Sequence, residues 1–398
     1  MELGISNKRE NGHLTILLSG RLDASSFDMA KKNIEEWIKP EDERLTFDLS
    51  GLSYISSAGL RLFVQLQKRH SDMRVIGVLP EVMDIFRITG MLSLLDVESV
   101  MQEISIDGMP LIGTGASSEV YRMDDEHVLK LYLPEIDIEL IRQEKAYART
   151  AFINGINTAV SYDIVKCGSR FGTIFELVDA KTLASAMDEQ PERLKEYSIE
   201  EAKLLYDIHH TELGDGTMPR TSDHYHEMAD QMTEYLEEKE ISLLHRLIDS
   251  IPERQTFVHG DFHPRNIVAA KDGLMLIDMA DATIGNPIYD MAASYISFVR
   301  IPEEMKEGAR EMMGLDPGLL PKSWDILLKE YYKDKDNEWI DRANALIGRL
   351  SGLKRTLIVP KMTMFPEEVR NGLISSARKE LLPHIDEIIR EYEALFQE

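Results

Sequence analysis

The stretch that decides the fold is FVHGDFHPRNIV (257–268), followed by LMLIDMADATIGNPIYDMA (274–292). Asp261 and Asn266 lie five positions apart in a polar loop between apolar, β-prone runs, and Asp278 follows the run Leu274–Ile277. Phosphoryl transfer asks for such a set. One carboxylate orients an attacking hydroxyl, and two oxygen-bearing side chains hold the Mg²⁺ that bridges a nucleotide's phosphates. Asp261 suits the first task, Asn266 and Asp278 the second. His259 and His263, four apart, would read as a zinc pair only on a helix. Gly260 and Pro264 make the segment a loop, so the histidines are not read as metal ligands.

Upstream, PLIGTGASSEVYRM (110–123) places Gly113 and Gly115 between two β-prone stretches. Such a loop either folds over phosphates with its N–H groups inward or closes an ordinary hairpin. HVLKLY (127–132) reads as a strand with Lys130 among apolar neighbours, and IELIRQEKAYART (138–150) as an amphipathic helix carrying Glu144. By itself Lys130 could be a strand-end charge in solvent. A lysine on a strand after a glycine loop, with a glutamate on the next helix, is the pair that positions an ATP phosphate in kinase-like folds.

With these residues in hand, 105–398 resembles the aminoglycoside phosphotransferase and choline-kinase branch of the protein-kinase-like fold, most specifically through HGDFHPRN and IDMADATIGNPIYDMA. The resemblance implies a two-lobed α+β fold: an N-lobe with hinge over 105–180, and a helical C-lobe over 181–398 with the catalytic loop and acceptor site. It implies ATP and Mg²⁺ as cofactors, Asp261 as catalytic base, and Asn266 and Asp278 as metal ligands. Lys130 would contact the α/β-phosphates, oriented by Glu144. The backbone of Thr114 to Ser118, including Gly115 and Ser117 and preceded by Gly113, would cover the phosphates, and the linker Glu176–Val178 would receive the adenine. Asp290 would brace the catalytic loop. The implied reaction moves the γ-phosphate to a hydroxyl of a small polar acceptor. Only eleven residues separate Asp278 from Asp290, too few for a long activation segment, and His259-Gly260-Asp261 lacks the arginine that reads a phosphate on one. Both departures favour a small-molecule acceptor.

Around this centre, SIEEAKLLYDIHHTEL (198–213) reads as a helix capped by Ser198 in a capping box, with His209 as a buried structural residue. HYHEMADQMTEYLEEKEISLLHRLIDSI (224–251) reads as a long helical region, and 300–398 as helices broken by Pro302, Pro317, Pro321 and Pro360. Arg265 either reaches the acceptor or a phosphate or points into solvent, and the solvent reading is slightly preferred. Acidic residues in the C-terminal helices suit either a cationic acceptor or a solvated face.

The first hundred residues follow another grammar. HLTILLSGRL (13–22), RLTFDLSGL (44–52) and MRVIGVL (73–79) read as strands. Helical spacing runs from Ala24 to Pro40, from Leu60 to Lys68 and over 81–95 with an interruption at Gly90, giving an α/β layer domain. GRLDASSFD (20–28), FDLSGLSYISSAGLRLF (47–63) and VMDIFRITGMLSLLDV (82–97) make residues 1–104 resemble a STAS domain of the anti-sigma-factor-antagonist type. The resemblance implies a protein partner and makes Ser57 the aligned phosphoacceptor. The aspartate usual before it is Ser56 here, and the two serines also suit helix capping. Two further readings of the whole chain follow. The kinase-like half could mainly bind nucleotide as part of a partner switch, or it could phosphorylate a protein, its own Ser57 included.

The chain has 398 residues, 43% hydrophobic and 29% charged, with a formal net charge of −25. About −4 of this falls within 1–105 and −21 beyond. So negative a surface, without a Lys/Arg cluster, argues against nucleic acid or an anionic membrane as partner. No apolar run approaches a membrane span, the start is too polar for a signal peptide, and Cys167 is the only cysteine, so a cytoplasmic location is expected.

Overall fold

The computed structural model describes residues 3–396 apart from 11, 43, 71, 100, 116, 179, 215, 271, 272, 306, 307 and 364. Contacts divide the chain into two compact units, Met1–Arg149 with Val160–Leu177, and Thr150–Ala159 with Val178–Glu398. The expected segments 1–104 and 105–180 therefore share most of one unit. No helix among the described residues is long and apolar enough to cross a membrane.

The first unit opens with a five-stranded sheet, β1 (Gly4–Glu10), β2 (His13–Leu22), β3 (Arg44–Ile55), β4 (Arg74–Val78) and β5 (Asp96–Ser99), in that spatial order. β1 is antiparallel to β2, and the other pairs are parallel. Helices α1 (Phe27–Trp37), α2 (Ser57–Gln67) and α3 (Pro80–Ile88) connect the parallel strands. This is the STAS-like α/β layer that the sequence leads one to expect. Its core joins Leu14, Ile16, Phe47 and Val75 from strands to Ile34, Phe63 and Phe86 from helices. Phe47 and Phe63 meet edge to face, with centroids 4.8 Å apart. Sequence patterning passes over β1 because GISNKRE is mostly exposed and ends in Lys8, Arg9 and Glu10, charges that suit a sheet edge.

α2 begins at Ser57, three residues before its expected start. Ser56 is its N-cap and accepts a hydrogen bond from Gly59 N at 3.4 Å. Gly59 packs so closely on the sheet that a Cβ would lie 2.8 Å from Ile55 Cγ1 and 2.9 Å from Leu22 Cδ2. Gly59→Val should therefore lose about 1–3 kcal/mol of stability through overpacking, measurable by urea unfolding of the full chain.

The same unit continues into an antiparallel sheet of β6 (Leu111–Thr114), β7 (Ser118–Arg122), β8 (His127–Tyr132), β9 (Ser161–Cys167) and β10 (Arg170–Glu176), ordered β6-β7-β8-β10-β9. Helix α4 (Ile138–Ile153) lies between β8 and β9 in sequence.

The second unit is mostly helical. It contains α5 (Leu183–Glu189), α6 (Leu194–His209), α7 (Thr221–Asp230), α8 (Glu238–Asp249) and α9 (Ile288–Tyr295), with strands β11 (Thr256–Val258), β12 (Ile267–Ala270), β13 (Gly273–Leu276) and β14 (Thr283–Gly285). The Ser198 capping box is not formed. Pro191 starts a 3₁₀ turn that runs into α6 at Leu194, so Ser198 lies inside the helix. Its hydroxyl donates to Leu194 O at 2.7 Å and pairs with Ser323. Glu201, expected in the box, is fully buried, and burial pushes its carboxyl well above the usual carboxylate value. The region 224–251 is not one helix either: α7 gives way to a 3₁₀ turn at Gln231–Glu234 before α8. Further helices run over Leu320–Tyr331 and Asn337–Leu357, and Pro321 sits harmlessly in the first turn of the former.

Candidate active site

Lys130, Glu144, Glu176 and the glycine loop belong to the first unit; Val178, Asp261, Asn266 and Asp278 belong to the second. In the first, β8 alternates so that Lys130 and Tyr132 share a face, and both reach Glu144 on α4. Lys130 Nζ lies 2.6 Å from Glu144 Oε1, and Tyr132 Oη donates to Glu144 Oε2 at 2.9 Å. Lys130 and Glu144 are only 8% and 4% exposed, which excludes the solvent reading of the lysine. Burial and the neighbouring Glu144 charge raise the Tyr132 hydroxyl far above its usual value, so it stays a donor. Tyr132 was not among the expected site residues, although its spacing of two from Lys130 on a strand carries the signal.

β6 and β7 form a hairpin in which Gly115 N donates to Ser118 O at 2.8 Å. Ser117 O accepts from Leu133 N at 2.9 Å, Ser118 is buried, Thr114 pairs with Glu119 in the ladder, and Ala116 lies outside the described residues. Neither Gly113 nor Gly115 adopts a positive φ, and a Cβ on either would meet only ordinary contacts. The glycines thus keep the hairpin slim and are not demanded by its backbone. Glu176 ends β10 with its N–H on Val160 O at 2.9 Å. The chain passes from the first unit to the second between Leu177 and Val178, whose carbonyl accepts from Ala180 N. Ser57, the remaining candidate, is exposed at the first position of α2.

In the second unit the loop carrying Asp261 and Asn266 leaves β11 and enters β12, while Asp278 follows β13, which pairs with β12. Two short antiparallel ladders, β11 with β14 and β12 with β13, thereby fix both ends of the loop. Gly260 has φ +82°, and a Cβ there would fall 2.4 Å from Asp281 O, so only glycine fits. From α9, the fully buried Asp290 accepts from His259 N and Gly260 N, each at 2.6 Å, and sits 3.2 Å from His209 Nε2. His209 Nδ1 meets Tyr331 Oη at 2.8 Å. Burial alone would raise the Asp290 carboxyl; His209 and His259 outweigh it and hold the group below its usual value.

Asp261 is likewise held ionised. Burial opposes the charge, but His263 at 3.3 Å, Lys354 and His259 together lower its carboxyl below the ordinary range. Asn266 Nδ2 donates to Asp261 O at 2.9 Å and to Asp261 Oδ2 at 3.0 Å. This commits the amide nitrogen and leaves Oδ1 as an oxygen donor beside the Asp261 carboxylate. Asp278 has φ +63°, the only positive φ of a non-glycine among the described residues, a strained conformation of the kind found where a side chain is aimed for function. An amide oxygen and a carboxylate are hard donors, and they fit Mg²⁺, which takes few protein ligands and completes its shell with phosphates and water.

His259 uses its ring on Ile277 O and on Asp261 N, and so serves the loop. Arg265, expected in solvent, instead donates to Met312 O at the C-terminal end of the helix Ala309–Met313. Lys354, on the helix Asn337–Leu357, was not anticipated. Its ammonium donates to Gly260 O and lies 3.3 Å from Asp281 Oδ2, joining the Asp261 loop to the segment after Asp278. No local pattern marks a lysine 94 positions away as a neighbour of that carbonyl.

The family model described as "Phosphotransferase enzyme family" matches residues 109–318, and the STAS domain model matches 5–104. The anti-sigma-B factor antagonists of Listeria monocytogenes and Listeria innocua are each 29% identical over 110 residues, 26% of this chain and 96% of theirs. Among solved structures, the streptomycin–ATP ternary complex of APH(2")-IIa is 14% identical with TM-score 0.45, covering 70% of this chain and 92% of that one. A choline/ethanolamine kinase family protein from Mesorhizobium loti is 10% identical with TM-score 0.46, covering 71% and 91%.

Proposed function

Because the chain belongs to the phosphotransferase enzyme family and carries a STAS domain, we propose that it transfers the γ-phosphate of ATP, with Mg²⁺, to a hydroxyl of a small polar acceptor. The observation that carries this reading is the Asn266 amide bonded to Asp261, which supports a base and a metal-binding oxygen side by side in one loop. Asp261 orients the acceptor hydroxyl and takes its proton as the acceptor oxygen bonds to the γ-phosphorus and the bond to the β-phosphate oxygen breaks, leaving ADP. Asn266 and Asp278 would hold Mg²⁺, which offsets charge on the phosphates. Lys130, directed by Glu144, which Tyr132 holds in turn, contacts the α/β-phosphates. The backbone from Thr114 to Ser118, with Gly113 and Gly115, covers them, and Glu176 to Val178 receives the base.

On this reading the STAS domain binds a protein partner, and the exposed Ser57 is its phosphoacceptor, at a helix start where N–H groups meet a phosphate. Uniformly unmodified Ser57 in protein from its native cells would refute that part.

The test of the reaction is an ATP-consumption screen with the full chain across amino sugars, choline-like amines, sugars and nucleosides. One acceptor class should raise turnover well above basal hydrolysis, and Asp278→Ala should remove the increase. Turnover indifferent to every class, or to Asp278→Ala, would overturn the proposal.

A further inference from the structure

Helix α4 has two working faces. Ile141, Glu144 and Ala148 recur at helical spacing, are buried, and turn toward the sheet that carries Lys130. Arg142, Lys145 and Arg149 recur on a different face, and two of them grip β5 of the STAS domain. Arg142 Nε lies 3.2 Å from Glu98 Oε2, and its Nη2 lies 3.4 Å from Oε1, a two-pronged contact with both side chains largely buried. Its Nη1 donates to Glu139 Oε1 on the same helix, and Lys145 Nζ donates to Val97 O at 3.4 Å. Arg74 of β4 lies 3.3 Å from Asp96 and 3.6 Å from Glu139, so a second guanidinium bridges STAS sheet and α4.

The segment leaving β5 is no loose tether. Ile104 N donates to Lys166 O, and Lys166 N donates to Gln102 O, each at 2.8 Å, which adds this segment to the β9 edge. Met101 packs with Tyr132 and Ile141, and Ile104 and Ile106 pack with Leu129 and Leu131 on either side of Lys130. β5 thus contacts α4 through Arg142 and Lys145, and the segment after it packs on β8 through Met101 and Ile104. Arg142 and Glu144 lie two positions apart on one helix, the first held by Glu98 of β5 and the second by Lys130 of β8.

We propose that Arg142 and Glu98 form a positioning pair through which the STAS domain sets α4, and with it the Lys130–Glu144 pair, for nucleotide binding. The inference rests on the assignment of Lys130 and Glu144 to the nucleotide phosphates. A partner or modification that displaces β5 then weakens ATP binding, and by linkage bound ATP weakens that partner to the same degree.

The test measures MgATP affinity of the full chain by calorimetric titration, with the thermal midpoint of each variant. Arg142→Met and Glu98→Gln should each weaken MgATP about three- to tenfold, and the double variant no more than the worse single one. Arg142→Lys, which keeps the charge but loses the fork, should recover part of the loss. If either charge variant lacks a cooperative thermal transition, Lys145→Met, which removes only a contact to a main-chain carbonyl, provides the same comparison. Unchanged affinity in these variants, with or without a lowered midpoint, alongside lost affinity in Lys130→Met overturns the positioning role and leaves the functional reading standing. Equal MgATP affinity in the wild type and Lys130→Met overturns that reading and the inference with it.

Discussion

Asp261→Asn is expected to slow phosphoryl transfer by about 10²–10⁴-fold, the range a positioned general base supplies, with little change in MgATP affinity. The substitution is nearly isosteric, so the Asn266 contact to the main-chain carbonyl of Asp261 persists and the loop keeps its shape. What disappears is the negative charge that His263, Lys354 and His259 hold ionised, and with it the orienting of the acceptor hydroxyl. Steady-state turnover with the acceptor found in the screen, paired with an equilibrium nucleotide titration, separates the two quantities. Wild-type turnover in Asp261→Asn would remove Asp261 from the reaction.

The second large effect concerns Asp290, which touches no substrate. Asp290→Ala should destabilise the chain by about 3–5 kcal/mol, because a fully buried carboxylate is lost while His259 N, Gly260 N and His209 Nε2 stay buried without their acceptor. Urea unfolding followed by circular dichroism measures this, and turnover should fall as well because the loop loses its brace. The pH dependence has a definite sign. The folded Asp290 carboxyl lies below its unfolded value near 4, so its contribution is present above that value. It is lost as pH falls through the folded value. Asp290→Asn should therefore flatten the acid side of the stability profile. A wild-type profile in Asp290→Asn would mean that Asp290 contributes no pH-linked stability.

Much of the candidate site is legible along the chain because its chemistry is local. Asp261 and Asn266 share one loop, Asp278 follows the next hairpin, and Lys130 is the one basic residue in the apolar run of a six-residue strand. The capping box at Ser198 misled for an equally local reason. Serine followed by glutamate three positions on looks the same whether it starts a helix or lies within one, and only the packing of α6 against the helix Leu320–Tyr331 distinguishes them. Arg265 likewise looked solvated until Met312 O, 47 positions away, came within its reach.

The division of labour between sequence and tertiary structure follows from the range of each interaction. The sequence alone determined the two fold types, the order of the motifs, and the residue types able to take a proton, hold a phosphate and ligate a hard cation. Those depend on side-chain chemistry and on spacing within a strand, a turn or a loop. Tertiary structure decided which groups are charged, buried and braced. Asp290 on Gly260, Lys354 on the same residue's carbonyl, Tyr132 on Glu144, and Arg142 on Glu98 join positions that no local periodicity relates. Burial and long-range hydrogen bonding fix these, and both appear only when the chain has folded.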